Sequence, residues 1–161
     1  MMKRITVAKE SNKPVIIGIS TPMKDYRLTW FMNKILHFKL AKQKDISIYN
    51  EKKDKLSSFS FYYDEQPENL LVFYFISNKN AESEILTYEQ KQTDFLFLIK
   101  GSLKKTKLDE VLQNIKSISN IQTAFLIDDV TFKNLDSLME DIELHLLDVL
   151  KAKKQSNKKV I

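Results

Sequence analysis

Acid–base, anion or metal chemistry needs carboxylates, imidazoles or guanidinium groups gathered at one place, and this chain of 161 residues has carboxylates in plenty but few of the other two. It has two histidines, His37 and His145, two arginines, Arg4 and Arg27, and one tryptophan, Trp30. Arg27 stands three residues before Trp30, so on a helix its guanidinium can lie over the indole. Lysine does not replace a planar, bidentate donor at such a place. Asp25, Arg27, Trp30 and Asn33 therefore form a candidate anion- or peptide-binding patch. Alternatively they form a structural clamp that ties their helix to the sheet through Glu89 or Asp94. Those two carboxylates lie five residues apart around the start of a strand. Turned toward one pocket, they have the chemistry of an acid–base pair or of metal ligands. Otherwise Glu89 caps a turn and Asp94 accepts backbone N–H bonds where the strand begins. His37 and His145 have neither metal spacing nor an adjacent nucleophile, and read as helix-surface residues. Gly18 and Gly101, the only glycines, cannot build a phosphate loop. The absence of cysteine excludes thiol nucleophiles, thiolate metal sites and disulfides. The pattern assigns no catalytic residue, no metal ligand set and no cofactor.

The elements that must position these residues follow from hydrophobic periodicity. Val15–Ser20 is a β-branched strand. Thr21-Pro22 is the expected N-cap and first helical position of a helix running to about His37 or Phe38, with Asp25 in its first turn. Asp45–Tyr49 alternates as a second strand. Phe59, Phe61 and Tyr63 alternate with Ser58, Ser60 and Tyr62, a third. The polar turn Asp64–Asn69 then leads to Leu70–Ile76, apolar on both faces, which predicts an antiparallel hairpin with a central second strand. Asp94–Ile99 is another buried strand. Thr106-Lys107-Leu108-Asp109 has the form of a capping box for a helix carrying Leu108, Val111, Leu112 and Ile115. Ile121–Ile127 is the sixth strand, and a last helix runs from about Lys133 to Lys153.

This order, β-α-β-β-β-β-α-β-α, predicts an α+β fold. It is a single, largely antiparallel sheet of about six strands with helices packed on one face, plus a C-terminal amphipathic helix. Residues 1–154 read as one domain, and 155–161 as a basic, disordered tail.

Three stretches resemble the bacterial IPExxxVDY family. In Leu86–Leu98, Glu89 and Asp94 match the signature, while its Ile-Pro is Thr87-Tyr88, its Val is Thr93 and its Tyr is Phe95. Lys24–Asn33 is similar to the family's Asp-Tyr-Arg-Leu-x-Trp-x-x-Asn pattern. Tyr74–Lys79 resembles its Ile-Ser-Asn-Lys segment. The resemblance covers roughly residues 15–128 and implies a shared core, without an activity.

The formal net charge of +5 is a property of the chain's end. The last eleven residues hold Lys151, Lys153, Lys154, Lys158 and Lys159 and no acid, and without those five lysines the 21 remaining basic residues balance 21 acids. Met1–Glu10 has no apolar run of the kind a signal peptide needs, and no stretch approaches a membrane span, so a cytoplasmic protein without membrane insertion is expected. No DNA-binding motif is present. In the last helix, Leu135, Met139, Ile142, Leu146 and Val149 form a two-heptad seam, a candidate partner helix. Two functions follow. The first is a non-catalytic protein-interaction module, an adaptor or assembly subunit with a protein partner or self-association. The second is RNA or ribosome binding through Lys104, Lys105, Lys107, Lys151, Lys153 and Lys154, with Tyr49, Tyr62 or Tyr74 available for stacking.

Overall fold

The first strand, β1 (Val15–Ser20), is buried along nearly its whole length because it lies between two other strands. The computed structural model describes residues 13–160, with side chains to residue 155. The expected leaderless N-terminus, Met1–Glu10, and the side chains of Lys158 and Lys159 lie outside the described residues.

Helix α1 (Asp25–Leu36) follows, burying Leu28 and Met32, a pair one turn apart on the face turned to the sheet. It ends where His37 enters the left-handed region at φ 59°. After the two-residue strand β2 (Ala41–Lys42), a hairpin forms from β3 (Ile46–Asn50) and β4 (Lys55–Phe59). Strands β5 (Phe61–Gln66) and β6 (Leu71–Ser77) form the expected antiparallel hairpin, joined by a 3-10 turn over Pro67–Asn69. A second 3-10 turn, Tyr88–Gln90, precedes β7 (Phe95–Gly101). The chain closes with α2 (Lys105–Lys116), β8 (Thr123–Ile127) and α3 (Leu135–Val160).

The main sheet has six strands in the order β2-β5-β6-β7-β1-β8, and all five pairings are antiparallel. Both faces are covered, which is why β6 and β7 carry apolar residues at odd and even positions alike. One face presents Ile17, Ile19, Phe73, Phe75 and Phe97 to Leu28 and Met32 of α1 and Val111 and Ile115 of α2. The other presents Ile16, Tyr74, Ile76, Leu96 and Leu98 to Leu138, Met139 and Ile142 of α3 and to Phe59 of the hairpin. Thus the first two helices share one face, and the C-terminal helix seals the opposite one.

Several boundaries differ from the sequence reading. The single strand expected through Phe59–Tyr63 breaks at Ser60: β4 pairs with β3 apart from the main sheet, and β5 joins it. Ser60 O accepts Ser77 N–H at 3.1 Å and Phe61 O accepts Gln43 N–H at 2.9 Å, so the chain changes partners there without orphaned groups. Neither expected side-chain cap forms. Lys24 and Lys104 occupy the N-cap positions without side-chain hydrogen bonds. Thr21 lies before α1 and accepts Met23 N–H at 3.2 Å on its own Oγ1. Helix α3 continues to Val160, so helical backbone occupies residues expected as a disordered tail.

Candidate functional site

Where β1, β6 and β7 reach one end of the sheet, the polar side chains of the sequence motifs converge. Asp94, immediately before β7, accepts Thr21 N–H on Oδ2 at 2.9 Å and pairs with Lys79 Nζ through Oδ1 at 3.2 Å. Its own N–H donates to Ile19 O at 2.9 Å, which continues the β1–β7 ladder past the strand end. Asn78, fully buried, organises the loop beyond. Its amide donates to Gln90 O at 2.8 Å and Thr93 O at 2.9 Å, and its Oδ1 accepts Thr87 N–H at 2.9 Å and Thr87 Oγ1–H at 2.7 Å. Every hydrogen-bonding position of this side chain is used.

Beside this knot lies an open, polar cleft of about 650 Å³, lined by Asp25, Asp45, Lys55, Lys79, Glu84 and Asp94 among others. Strand β4 forms one wall. Its Leu56 and Ser58 face this cleft, while Ser57 and Phe59 face a second of about 630 Å³ on the other side of the hairpin. Asp25 and Asp94 therefore share a cleft, and Glu89 belongs to the second one with Tyr88 and Asp141.

Two carboxylates of the first cleft, Asp25 and Glu84, are held as anions rather than poised. Burial alone would raise the Asp25 carboxyl. The Tyr62 hydroxyl at 3.0 Å, the Tyr26 backbone N–H and Lys42 at 3.6 Å outweigh it and hold Asp25 below the usual carboxylate range. Glu84 accepts the Asn80 amide at 2.9 Å, and this bond, with Lys55 at 3.4 Å, brings it down to about 2 against the opposing effect of burial. Lys53 lies 3.6 Å from the same carboxylate. A general acid or base works best with a pKa near the working pH, and these two anions are far below neutrality. The arrangement is suited to holding the 79–84 loop against the β3–β4 hairpin through Glu84, and the start of α1 against β2 and β5 through Asp25.

The expected clamp from Arg27 does not form. Arg27 is exposed on α1, with its guanidinium 5.8 Å from the Phe31 ring, and makes no ion pair with Glu89 or Asp94 among the described residues. The indole of Trp30 instead meets Lys34 Nζ at 5.0 Å. The helix offers Arg27 neighbours at both i+3 and i+4, and the i+4 ring is the one it takes. Asn33 is structural: it donates to Leu40 O at 3.0 Å and accepts Leu40 N–H at 2.9 Å, pinning the chain after α1. The six motif residues thus divide four ways, with Asp25 and Asp94 in one cleft, Glu89 in another, Arg27 and Trp30 on the outer surface of α1, and Asn33 bound to Leu40.

The partner-helix seam is likewise redirected. Leu135, Met139, Ile142 and Val149 are buried against the chain's own body, with Leu146 partly so, because among the described residues no other helix covers the second face of the sheet. Leu144, Leu147 and Leu150, outside that seam, are 56%, 57% and 42% exposed. Of the basic residues, Lys107 pairs with Glu110 at 3.7 Å and Lys153 donates to Gln43 Oε1 at 2.8 Å, while Lys104, Lys105, Lys151 and Lys154 are exposed. Two of the three tyrosines considered for stacking, Tyr62 and Tyr74, are core residues, and only Tyr49 is open. His145 contacts Lys44 O at 2.8 Å through Nε2, tying α3 to the β2–β3 connection.

Among the described residues no group of three or more acids or histidines is placed to hold a metal ion, and no helix is long and apolar enough to cross a membrane. Glu84 and Lys55 gave no signal in the sequence, since they come together from separate segments of the chain. Asn78 stood within a recognised segment, but its burial depends on the fold. No family model matches the chain, and no curated protein matches it.

Proposed function

We propose that this chain is a non-catalytic protein-interaction module, a small cytoplasmic adaptor or assembly subunit, and that it belongs to the IPExxxVDY family it resembles. The observation that carries the reading is the outer face of α3. Three leucines, Leu144, Leu147 and Leu150, stand in solvent on a helix whose inner seam is already filled. Scattered exposed leucines are ordinary, but three on successive turns of one face form a continuous apolar strip of the kind that helix-recognising interfaces bury. The motif side chains support it from the other direction: Asn33, Asn78 and Asp94 spend their polar atoms on internal bonds.

The test is native purification of the full chain and of a Leu144→Glu/Leu147→Glu variant, with mass spectrometry and half of each sample treated with ribonuclease. A stoichiometric protein complex that survives the nuclease and is lost in the variant is expected. Association that vanishes with the nuclease and is unchanged in the variant would replace this reading with RNA binding, which the exposed Lys104, Lys105, Lys151 and Lys154 favour. In that case affinity should fall steeply with salt.

A further inference from the structure

We infer that the occupant of the outer face of α3 is a second copy of this chain, with its α3 antiparallel across a twofold axis at Leu147. This rests on the reading of that face as an interaction surface and goes beyond it by naming the partner. The face is self-complementary. A twofold interface is isologous, so every residue n positions before the axis must suit the residue n positions after it. At 3.6 residues per turn, Leu144 and Leu150 lie about 60° to either side of Leu147, and Glu140 and Lys154 about 20° to either side. All five are exposed. Antiparallel pairing about Leu147 sets Leu144 against Leu150 of the copy, and Glu140 against Lys154 of the copy.

The charge pattern fits only this orientation. Asp136, Glu140 and Asp141 occupy the first turns of α3, and Lys151 and Lys154 its later turns, all exposed. Parallel pairing would put like charges face to face, whereas the antiparallel arrangement meets acid with base at both ends of the leucine strip. It also opposes the two helix dipoles favourably. Of the other charged groups nearby, Glu143 holds Lys100 Nζ at 2.7 Å and Lys153 holds Gln43, while Asp148 and Lys151 are exposed. Glu140 and Lys154 have no ion-pair partner among the described residues. The edge strand β8 is the competing self-association surface, but it carries no comparable pairing of charges.

Sedimentation of the purified full chain over a wide concentration range tests the inference. A monomer–dimer equilibrium is expected. Leu147→Glu, which places two carboxylates on the axis, should weaken it by about 100-fold or more, as loss of a central apolar anchor does. Glu140→Lys and Lys154→Glu should each weaken it about tenfold, since each dimer contains the pair twice, and the double exchange should restore it. Circular dichroism of each variant establishes that the fold is retained. Because the chain has no cysteine, Leu147→Cys adds a single thiol on the axis, and under mild oxidation it should yield a disulfide-linked dimer, while Asp148→Cys should not. A monomer at every concentration, or a dimer indifferent to Leu147→Glu, overturns the inference. So does failure of both the charge-exchange rescue and the crosslink. A purified monomer whose native complex is nevertheless lost with Leu147→Glu overturns only the second copy, whereas indifference in both experiments also removes the interaction reading.

Discussion

Asn78 is the residue whose substitution should be felt most widely. Its side chain is the hub for Thr87, Gln90 and Thr93, so removing the amide leaves the Thr93 carbonyl and the Thr87 N–H and hydroxyl without these partners, while Gln90 O keeps Thr93 N–H at 2.9 Å. A single buried polar group left without a partner costs about 1–3 kcal/mol. Asn78→Ala should therefore lower the unfolding free energy in urea by at least about 3 kcal/mol, allowing for partial relaxation. Asn78→Asp should be no better, because a carboxylate cannot donate to Gln90 O and Thr93 O. Glu84 makes a second, pH-resolved case. Its folded pKa of about 2 lies below the usual 4.5, so the unfolded chain binds its proton more readily. The stabilisation is therefore complete above about pH 4.5 and is lost as pH falls toward 2. Melting curves of the native chain and Glu84→Gln should differ at neutral pH and converge as the solution approaches pH 2.

Strands and turns were legible where side-chain periodicity alone decides the outcome, and illegible where a distant partner decides it. The β5–β6 hairpin, with Phe61 facing one layer and Tyr62 the other, follows from alternation and a polar turn. The change of partner at Ser60 does not, because Phe59 and Phe61 keep their alternation while the backbone bonds move from β3 to β6. The Thr21 and Thr106 caps failed for a related reason: each helix starts where packing against the sheet fixes it. Thr21 is committed to Asp94 and Asn120, and Thr106 falls inside α2. Gly101, by contrast, is dictated by a close approach. It sits at φ +125°, and a Cβ there would stand 2.0 Å from the carbonyl of Leu70, the residue before its β6 partner Leu71. Gly101→Ala must displace that backbone as well as adopt a strained dihedral, so a loss of about 2 kcal/mol or more is expected from denaturant unfolding. An exposed alanine substitution such as Lys105→Ala should stay within about 0.5 kcal/mol.

At the scale of the whole molecule, the decisive fact is that a sheet apolar on both faces cannot be left half covered. The composition of β6 and β7 announces two buried faces, yet α1 and α2 supply cover for one. The sequence seam of α3 was readable as apolar, but a seam does not say whether it meets its own chain or another. The need to shield Leu96, Leu98 and Ile76 gives the answer, and with it the inward position of Ile142. The two stripes of α3 should consequently behave as different materials. Ile142→Ala opens a cavity in a fully buried site and should cost about 2–5 kcal/mol at any protein concentration. Leu147→Ala removes a half-exposed side chain and should change the stability of the monomer by no more than about 0.5 kcal/mol. If the outer stripe joins two copies, the Leu147→Ala deficit should grow with protein concentration, as linkage between folding and association requires. Equal costs for the two substitutions in dilute solution would mean that α3 does not divide its faces between the body and a partner.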